Sequence, residues 1–138
     1  MDYKTLANEA IKAQKMSYAP YSKFNVGAAI LTKNGKIYQG CNIESAAYSP
    51  TCCAERTALV KAVSEGEREF AAIAVVGSAE NSEPEYCYPC GVCRQFLKEF
   101  SPDDMPVIIV KSEDDFKVHK FSEILPYSFG PADLGVTP

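Results

Sequence analysis

The run FAAIAVV, residues 70–76, is the longest uninterrupted apolar stretch of this 138-residue chain. A short apolar run that contains β-branched residues is typical of a strand covered on both faces of a sheet. Val107-Ile108-Ile109-Val110 has the same character and predicts a second buried strand. The seven residues of the first run are far fewer than the about 20 that a transmembrane helix needs, so the sequence predicts no membrane span.

The N-terminal half supplies helices and a hairpin around these strands. Apolar residues at helical spacing predict one helix over residues 4–17 and another over 53–64. The runs 24–31 and 37–43 flank Asn34-Gly35, a pair that tolerates the positive φ of a tight hairpin turn. Side-chain alternation along the second of these strands places Asn42 and Glu44 on one face.

The C-terminal half completes the predicted order of elements. A third helix is expected after Pro89 and ends at Ser101-Pro102, followed by an edge strand over 116–119 and a helical turn over 121–125. Helices that alternate with strands predict an α/β fold with three layers, α/β/α, around a mixed sheet of about five strands. We expect a single domain over residues 1–138.

Composition limits the partners and the location of the protein. Hydrophobic residues make up 46% of the chain, which is enough for one core at this length. Lys and Arg number 14 against 18 Asp and Glu, a net charge of −4. Binding to nucleic acid needs clustered cations, which the sequence lacks, so no nucleic-acid partner is expected. The segment Met1-Asp2-Tyr3-Lys4-Thr5 has no apolar leader region, and a cytoplasmic location is expected.

Six cysteines, at positions 41, 52, 53, 87, 90 and 93, point to metal or redox chemistry. Cys53 opens the helix predicted over 53–64, and Cys90-Gly91-Val92-Cys93 opens the next helix. Backbone N–H groups and the helix dipole stabilise thiolates at such positions, and thiolates bind zinc. Three sulfurs from two helix starts leave the fourth tetrahedral position open, as in catalytic zinc sites. Glu55 is then placed to carry the protons of an attacking water.

Other interpretations of the cysteines remain open at this point. The Cys-x-x-Cys pair alone is also found in dithiol oxidoreductases, which need no metal. Cys52 or Cys87 as a fourth ligand would instead give a closed, structural zinc site. Cys41 is expected to be a small core residue, and His119 to be a surface residue on an edge strand away from the motif.

The motifs together resemble the zinc-dependent cytidine deaminases, in particular their short, homotetrameric type. Cys53-Ala54-Glu55 followed by Pro89-Cys90-x-x-Cys93 carries the resemblance. Further matching blocks extend over nearly the whole chain: Tyr18-Ala19-Pro20-Tyr21-Ser22-Lys23-Phe24, Val26-Gly27-Ala28-Ala29, Gly40-Cys41-Asn42-Ile43-Glu44, Arg56-Thr57-Ala58, Arg94-Gln95, and Leu125-Pro126 with Phe129.

The resemblance implies a site and a reaction. Cys53, Cys90 and Cys93 would hold one zinc ion per subunit, and Glu55 would pass protons to the pyrimidine N3 and to the departing amine during hydrolytic deamination at C4. The substrate would be cytidine or deoxycytidine, in pyrimidine salvage. The implied substrate-binding residues are Asn42 and Glu44 at the ribose hydroxyls, Ala54 and Phe24 beside the nucleoside, and Phe129 reaching over the base from a neighbouring subunit of a homotetramer.

Two further expectations concern charge and specificity. One zinc ion with three thiolates has a net charge of −1. The resemblance implies that Arg56 offsets this charge by donating hydrogen bonds to cysteine sulfurs. A deaminase of a modified cytosine nucleoside such as blasticidin is the alternative within the same chemistry, and the Asn42-x-Glu44 pair argues against it. Residues 78–88 form a longer and more acidic connection than short deaminases usually carry.

Overall fold

The computed structural model describes residues 2–136, and its helices and strands follow the predicted order. In chain order the elements are α1 (Tyr3–Gln14), β1 (Phe24–Thr32), β2 (Ile37–Cys41), α2 (Ala54–Ser64), β3 (Phe70–Ala79), α3 (Gly91–Lys98), β4 (Pro106–Ser112), β5 (Asp115–Lys120), α4 (Phe121–Ile124) and a 3₁₀ turn, Pro131–Leu134. Within this described part of the chain, no helix combines the length and the apolar character needed to cross a membrane.

The five strands form one mixed sheet in the order β2-β1-β3-β4-β5. Strand β3 lies at the centre, antiparallel to β1 and parallel to β4, while both outer strands pair antiparallel with their neighbours. It continues past the predicted 70–76 to Ala79, because Phe24 of β1 pairs opposite Ala79 at its far end. The predicted mixed sheet of about five strands is therefore confirmed.

Strand alternation divides the core between the two faces of the sheet. On one face, Ile73, Val75 and Val107 pack with residues of α2, α3 and α4. On the other face, Ala72, Ala74 and Ile108 pack with α1. The apolar runs of β3 and β4 are buried on both sides, as the sequence predicts, and α1 and α2 lie on opposite faces.

A glycine in each strand of the hairpin lets a helix approach closely. A Cβ atom on Gly27 would lie 2.2 Å from the Ala10 carbonyl oxygen of α1, and one on Gly40 would lie 2.4 Å from the Ala54 carbonyl oxygen of α2. The second contact matters for function because α2 begins at Cys53 and carries Glu55.

Strand β2 corrects one expectation. It ends at Cys41, not at residue 43, and Ile43 makes only isolated bridges. Its buried positions are those of Tyr38 and Gly40, which face α2, whereas Cys41 is only half-buried and belongs to neither core cluster. The expected core position of Cys41 is therefore wrong, because α2 packs against the face of β2 that carries Tyr38 and Gly40.

Candidate active site

Two helix starts bring three cysteine sulfurs together. Cys53 is the N-cap residue of α2 and Cys90 is the N-cap residue of α3, with Cys93 in the first turn that follows. The Sγ atom of Cys90 lies 3.7 Å from that of Cys53 and 3.4 Å from that of Cys93, and all three lie within 4.8 Å of one another. Within residues 2–136, this is the only group of three or more potential ligands so close together.

The cluster has the dimensions of a zinc site. Three sulfurs bound tetrahedrally at about 2.3 Å from an ion lie about 3.8 Å apart, close to the distances observed here. Cys93 is fully buried while Cys90 is exposed, so the cluster is open to solvent on one side. Three thiols open on one side are the donor set of a catalytic zinc site, whereas a structural site would be closed by a fourth ligand.

Hydrogen bonds among these side chains favour a thiolate on Cys53. The pKa of Cys53 is lowered to about 5, mainly by the hydrogen bond from the Cys93 thiol and also by Arg56 and Cys90, against the opposing effect of burial. The Arg56 Nη2 atom donates to the Cys53 Sγ at 3.6 Å and to the Thr51 carbonyl oxygen at 3.2 Å. The hydrogen bond to Cys53, together with burial, raises the pKa of Cys93. The predicted contact of Arg56 with a cysteine sulfur is thus present.

Glu55 lies in the first turn of α2 and is only 4% exposed. Burial raises the pKa of its carboxyl group to about 7, and the charge of Cys53 acts in the same direction. Arg56 and Arg94 oppose the shift. A carboxyl group with these surroundings can both accept and release a proton near neutral pH.

Asn42 joins three segments through its side chain, which is 8% exposed. Its Oδ1 atom accepts from the Val26 backbone N–H at 2.9 Å and from the Ser17 hydroxyl, while its Nδ2 atom donates to the Phe24 carbonyl oxygen at 2.8 Å. These bonds fix which end of the amide is the donor. One N–H of the amide is not used by these contacts.

Glu44 holds the turn that precedes β1. Its Oε1 atom accepts from the backbone N–H groups of Tyr21 at 3.0 Å and Ser22 at 3.1 Å, and its Oε2 atom accepts from the Ser22 hydroxyl. The Ser22 hydroxyl is the main reason that the pKa of Glu44 is lowered. Asn42 and Glu44 thus both bond to the segment that leads into β1.

A short ladder brings this pair next to the cysteine cluster. The backbone N–H of Ile43 donates to the Cys52 carbonyl oxygen, and the N–H of Cys52 donates back to Ile43, each at 2.9 Å. Since Ile43 lies between Asn42 and Glu44, and Cys52 precedes Cys53, the two groups of predicted residues meet here.

The remaining predicted residues differ in their exposure to solvent. Ala54 is fully buried at the start of α2, and Phe24 is 38% exposed with its ring beside Gly77 and Cys87. Phe129 lies on the C-terminal segment beside α3, where its carbonyl oxygen accepts from the Gln95 Nε2 atom at 2.9 Å, and its ring is 58% exposed.

The other cysteines stay outside the cluster. Cys87 lies beside Gly77, as does the Phe24 ring, and burial raises the pKa of the Cys87 thiol. Cys52 accepts from the Thr57 hydroxyl at 3.4 Å. The four-thiol alternative is therefore not formed by the described residues, because neither sulfur joins the group of three.

Two residues near the cluster have contacts that the sequence did not indicate. His119 contacts a residue that precedes the motif in sequence, because its Nε2 atom lies 3.1 Å from the hydroxyl of Tyr88, two residues before Cys90. Arg94 donates to the carbonyl oxygens of Pro89 and Ile124. Arg94 stands within a matching block of the sequence, but no local pattern reveals which carbonyls an arginine will reach.

Comparisons with known proteins agree with this geometry. The family model described as the cytidine and deoxycytidylate deaminase zinc-binding region matches residues 1–109. The cytidine deaminase of Sporosarcina psychrophila is 48% identical over 97% of this chain and 96% of its own, and that of Halalkalibacterium halodurans is 46% identical over 97% and 98%.

A solved structure agrees as well. The crystal structure of cytidine deaminase from Burkholderia pseudomallei superposes with a TM-score of 0.84 at 41% identity, and the match covers 94% of this chain and all of the other. The family match spans most of the chain and includes all three clustered cysteines, and the relatives align over nearly their full lengths. The chain therefore belongs to the cytidine and deoxycytidylate deaminase family.

Proposed function

We propose that the protein is a zinc-dependent cytidine deaminase, which hydrolyses cytidine and deoxycytidine to uridine and deoxyuridine with release of ammonia. The observation that carries the proposal is the cluster of Cys53, Cys90 and Cys93 at two helix starts, with the buried Glu55 two residues after the first thiol. The family and the cytidine deaminases similar to this chain support the choice of substrate.

The three thiolates are the proposed zinc ligands, and Arg56 balances their charge. When bound there, zinc supplies Lewis-acid activation of the water that attacks C4 of the pyrimidine. Three thiolates and one zinc ion have a net charge of −1, which weakens that activation. The hydrogen bond from Arg56 to the Cys53 sulfur withdraws electron density from the thiolate and so restores part of it.

Glu55 is the proposed proton carrier. Its carboxylate takes a proton from the attacking water and delivers it to N3 of the ring, then takes the proton of the hydroxyl now on C4 and delivers it to the departing amine. Its burial at 4% exposure keeps bulk water from competing for these transfers. Ala54, which precedes it at the start of α2, is proposed to contact the nucleoside through its backbone.

Asn42 and Glu44 are proposed to bind the sugar. The amide N–H of Asn42 that is not used within the chain can donate to a ribose hydroxyl oxygen. Glu44 accepts two bonds at Oε1 and one at Oε2, so one lone pair of Oε2 can accept from a ribose hydroxyl. The carboxylate also disfavours a phosphate nearby, which favours nucleosides over nucleotides. Because the Asn42-x-Glu44 pair is placed to bind ribose hydroxyls, it argues against blasticidin-like nucleosides.

The aromatic residues suggest an assembly. Phe24, beside Gly77, is proposed to pack against the nucleoside of its own subunit. The exposed ring of Phe129 is proposed to reach over the base bound by a neighbouring subunit of a homotetramer. Val92 and Phe96, 62% and 37% exposed on α3, add apolar surface that a second subunit would cover. The proposal also includes one domain over residues 1–138, a cytoplasmic location and a role in pyrimidine salvage.

The ultraviolet absorbance of cytidine during incubation with the zinc-loaded protein tests this function. We expect the wild type to convert cytidine to uridine, and Glu55→Gln to keep its zinc but lose about 10²–10⁴-fold in rate, the contribution of a general acid–base. Glu83→Gln removes an exposed carboxylate from the connection before α3 and is the matched control.

Two outcomes would contradict the proposal. Equal rates for wild type and Glu55→Gln would remove the assigned role of Glu55. A zinc-loaded wild type that leaves cytidine unchanged but deaminates blasticidin would favour the modified-nucleoside alternative instead.

A further inference from the structure

Arg94 connects the turn that carries a proposed zinc ligand to α4, which is distant in sequence. Its Nε atom donates to the Pro89 carbonyl oxygen at 2.6 Å, and its Nη1 atom donates to the Ile124 carbonyl oxygen at 2.7 Å. Pro89 is buried and immediately precedes Cys90. Ile124 is the last residue of α4 and is only 6% exposed within the core.

The first of these bonds acts directly on the geometry of Cys90. The Pro89 carbonyl belongs to the peptide plane that includes the nitrogen and Cα atoms of Cys90, so holding its oxygen helps to fix the N–Cα bond from which the Cys90 side chain departs. Proline has no backbone N–H, and a hydrogen bond from that group therefore cannot anchor this turn.

The second bond makes the anchor rigid. Arg94 lies in α3, the same helix that Cys90 caps, so a bond to Pro89 alone would tie the turn only to its own helix. Through Ile124 the same guanidinium is also fixed to α4, whose residues Phe121 and Ile124 pack in the core with Leu97 of α3. A planar guanidinium presents its N–H groups in a fixed fork, which can reach two carbonyls at once.

We propose that Arg94 is a positioning residue that holds Cys90 where its sulfur can share a zinc ion with Cys53 and Cys93. This inference depends on the ligand set of the proposed function. The side-chain hydrogen bonds of Arg94 reach no cysteine sulfur among the described residues, and the contribution proposed for it is the bridge between Pro89 and Ile124. Among the described residues it forms no ion pair, so its two named contacts are carbonyls and not carboxylates.

Competition for zinc with a chromogenic chelator tests the bridge on the full-length protein. We expect Arg94→Gln to bind zinc about 10–100-fold more weakly, the usual effect of removing a residue that supports a metal ligand. Arg94→Lys keeps the charge but has one ammonium group, which cannot span both carbonyls, and we expect at least about tenfold weakening.

Arg68→Gln is the matched control. The Arg68 Nη1 atom donates to the carbonyl oxygens of Val63 at 2.7 Å and Glu67 at 2.9 Å, at the opposite end of α2 from Cys53. The variant therefore loses the same charge and two bonds of the same kind, and its zinc affinity should stay within about twofold of the wild type, as expected of a change away from the ligands.

Three outcomes would overturn the inference. Unchanged zinc affinity in Arg94→Gln would remove the role of Arg94, and wild-type affinity in Arg94→Lys would assign the effect to charge. Equal weakening in Arg68→Gln would indicate general loss of stability. If Arg94→Gln does not fold, Arg94→Lys decides the question alone. Cytidine turnover of the wild type is measured separately. If zinc affinity depends on Arg94 but the wild type leaves cytidine unchanged, only the proposed function is contradicted.

Discussion

Replacing Gly40 with alanine should disturb the close packing of α2 against β2. The new Cβ atom would lie 2.4 Å from both the Ala54 carbonyl oxygen and the Ala58 backbone nitrogen. Real Cβ atoms essentially never approach closer than 3.0 Å, and ordinary contact begins at 3.4 Å. Because both atoms are backbone atoms of α2, no side chain can rotate away, and the helix must move by about 0.6–1 Å.

This displacement predicts two measurable effects. Overpacking of this kind lowers the free energy of unfolding by about 1–3 kcal/mol, which urea denaturation resolves. The helix that moves begins at Cys53 and carries Glu55. A displacement near 1 Å at reacting groups can reduce turnover about 10²-fold, so we expect kcat for cytidine to fall by roughly 10–100-fold.

Gly27→Ala is the control for this variant. Its Cβ atom would lie 2.2 Å from the Ala10 carbonyl oxygen and 2.4 Å from the Gln14 backbone nitrogen. The clash is equally severe, but it moves α1, which carries no proposed ligand or proton carrier. We expect similar destabilisation with a much smaller loss of kcat. Wild-type stability and turnover in Gly40→Ala, or equal loss of turnover in both variants, would refute this reasoning.

Two further predictions concern charge near the site. Arg56→Ala should keep zinc, as measured by metal analysis, but lose about 10–100-fold in turnover because the Cys53 sulfur loses its hydrogen bond; full activity with an unchanged pH profile would contradict this. The pKa of Glu44 is lowered mainly by the Ser22 hydroxyl, so the carboxylate favours folding at neutral pH and this contribution is lost as the pH falls below about 4. Ser22→Ala should raise the pKa of Glu44 in an NMR titration, and an unchanged value would show that the hydroxyl is not the cause.

Much of the fold could be predicted because apolar patterns depend on burial alone. The runs at 70–76 and 107–110 predict strands covered on both faces, and both are buried on both sides of the sheet. Strand ends were less predictable. Strand β3 is lengthened by pairing with β1, and β2 is shortened where Ile43 leaves the sheet to pair with Cys52.

The faces of β2 show the limit of alternation. Cys41 was expected to lie on the buried side, yet Tyr38 and Gly40 are the buried residues of that strand. The sequence shows that Gly40 lacks a side chain, but only the packing shows that a helix backbone fills the space.

The candidate site also has a part that the sequence predicts and a part that it does not. Helix starts and thiol spacing follow local rules and predicted a thiol site, and the family resemblance selected Cys53, Cys90 and Cys93, the three that cluster. The contacts of Arg94 and His119 were not, since Ile124 and Tyr88 are distant in sequence from the residues that touch them. Long-range hydrogen bonds depend on the whole fold and leave no local pattern.

The position of α3 between β3 and β4 has a consequence for synthesis on the ribosome. All three clustered thiols have been made once residue 93 is added, but Leu97 packs in the core with Val107 and Ile109 of β4, and Arg94 bonds to Ile124. A nascent chain therefore contains the sulfurs before it contains the strand and the carbonyl that hold α3 in place. With the proposed ligand set and the proposed Arg94 bridge, we expect full zinc affinity only once the last quarter of the chain has been made, so that metal loading coincides with completion of folding.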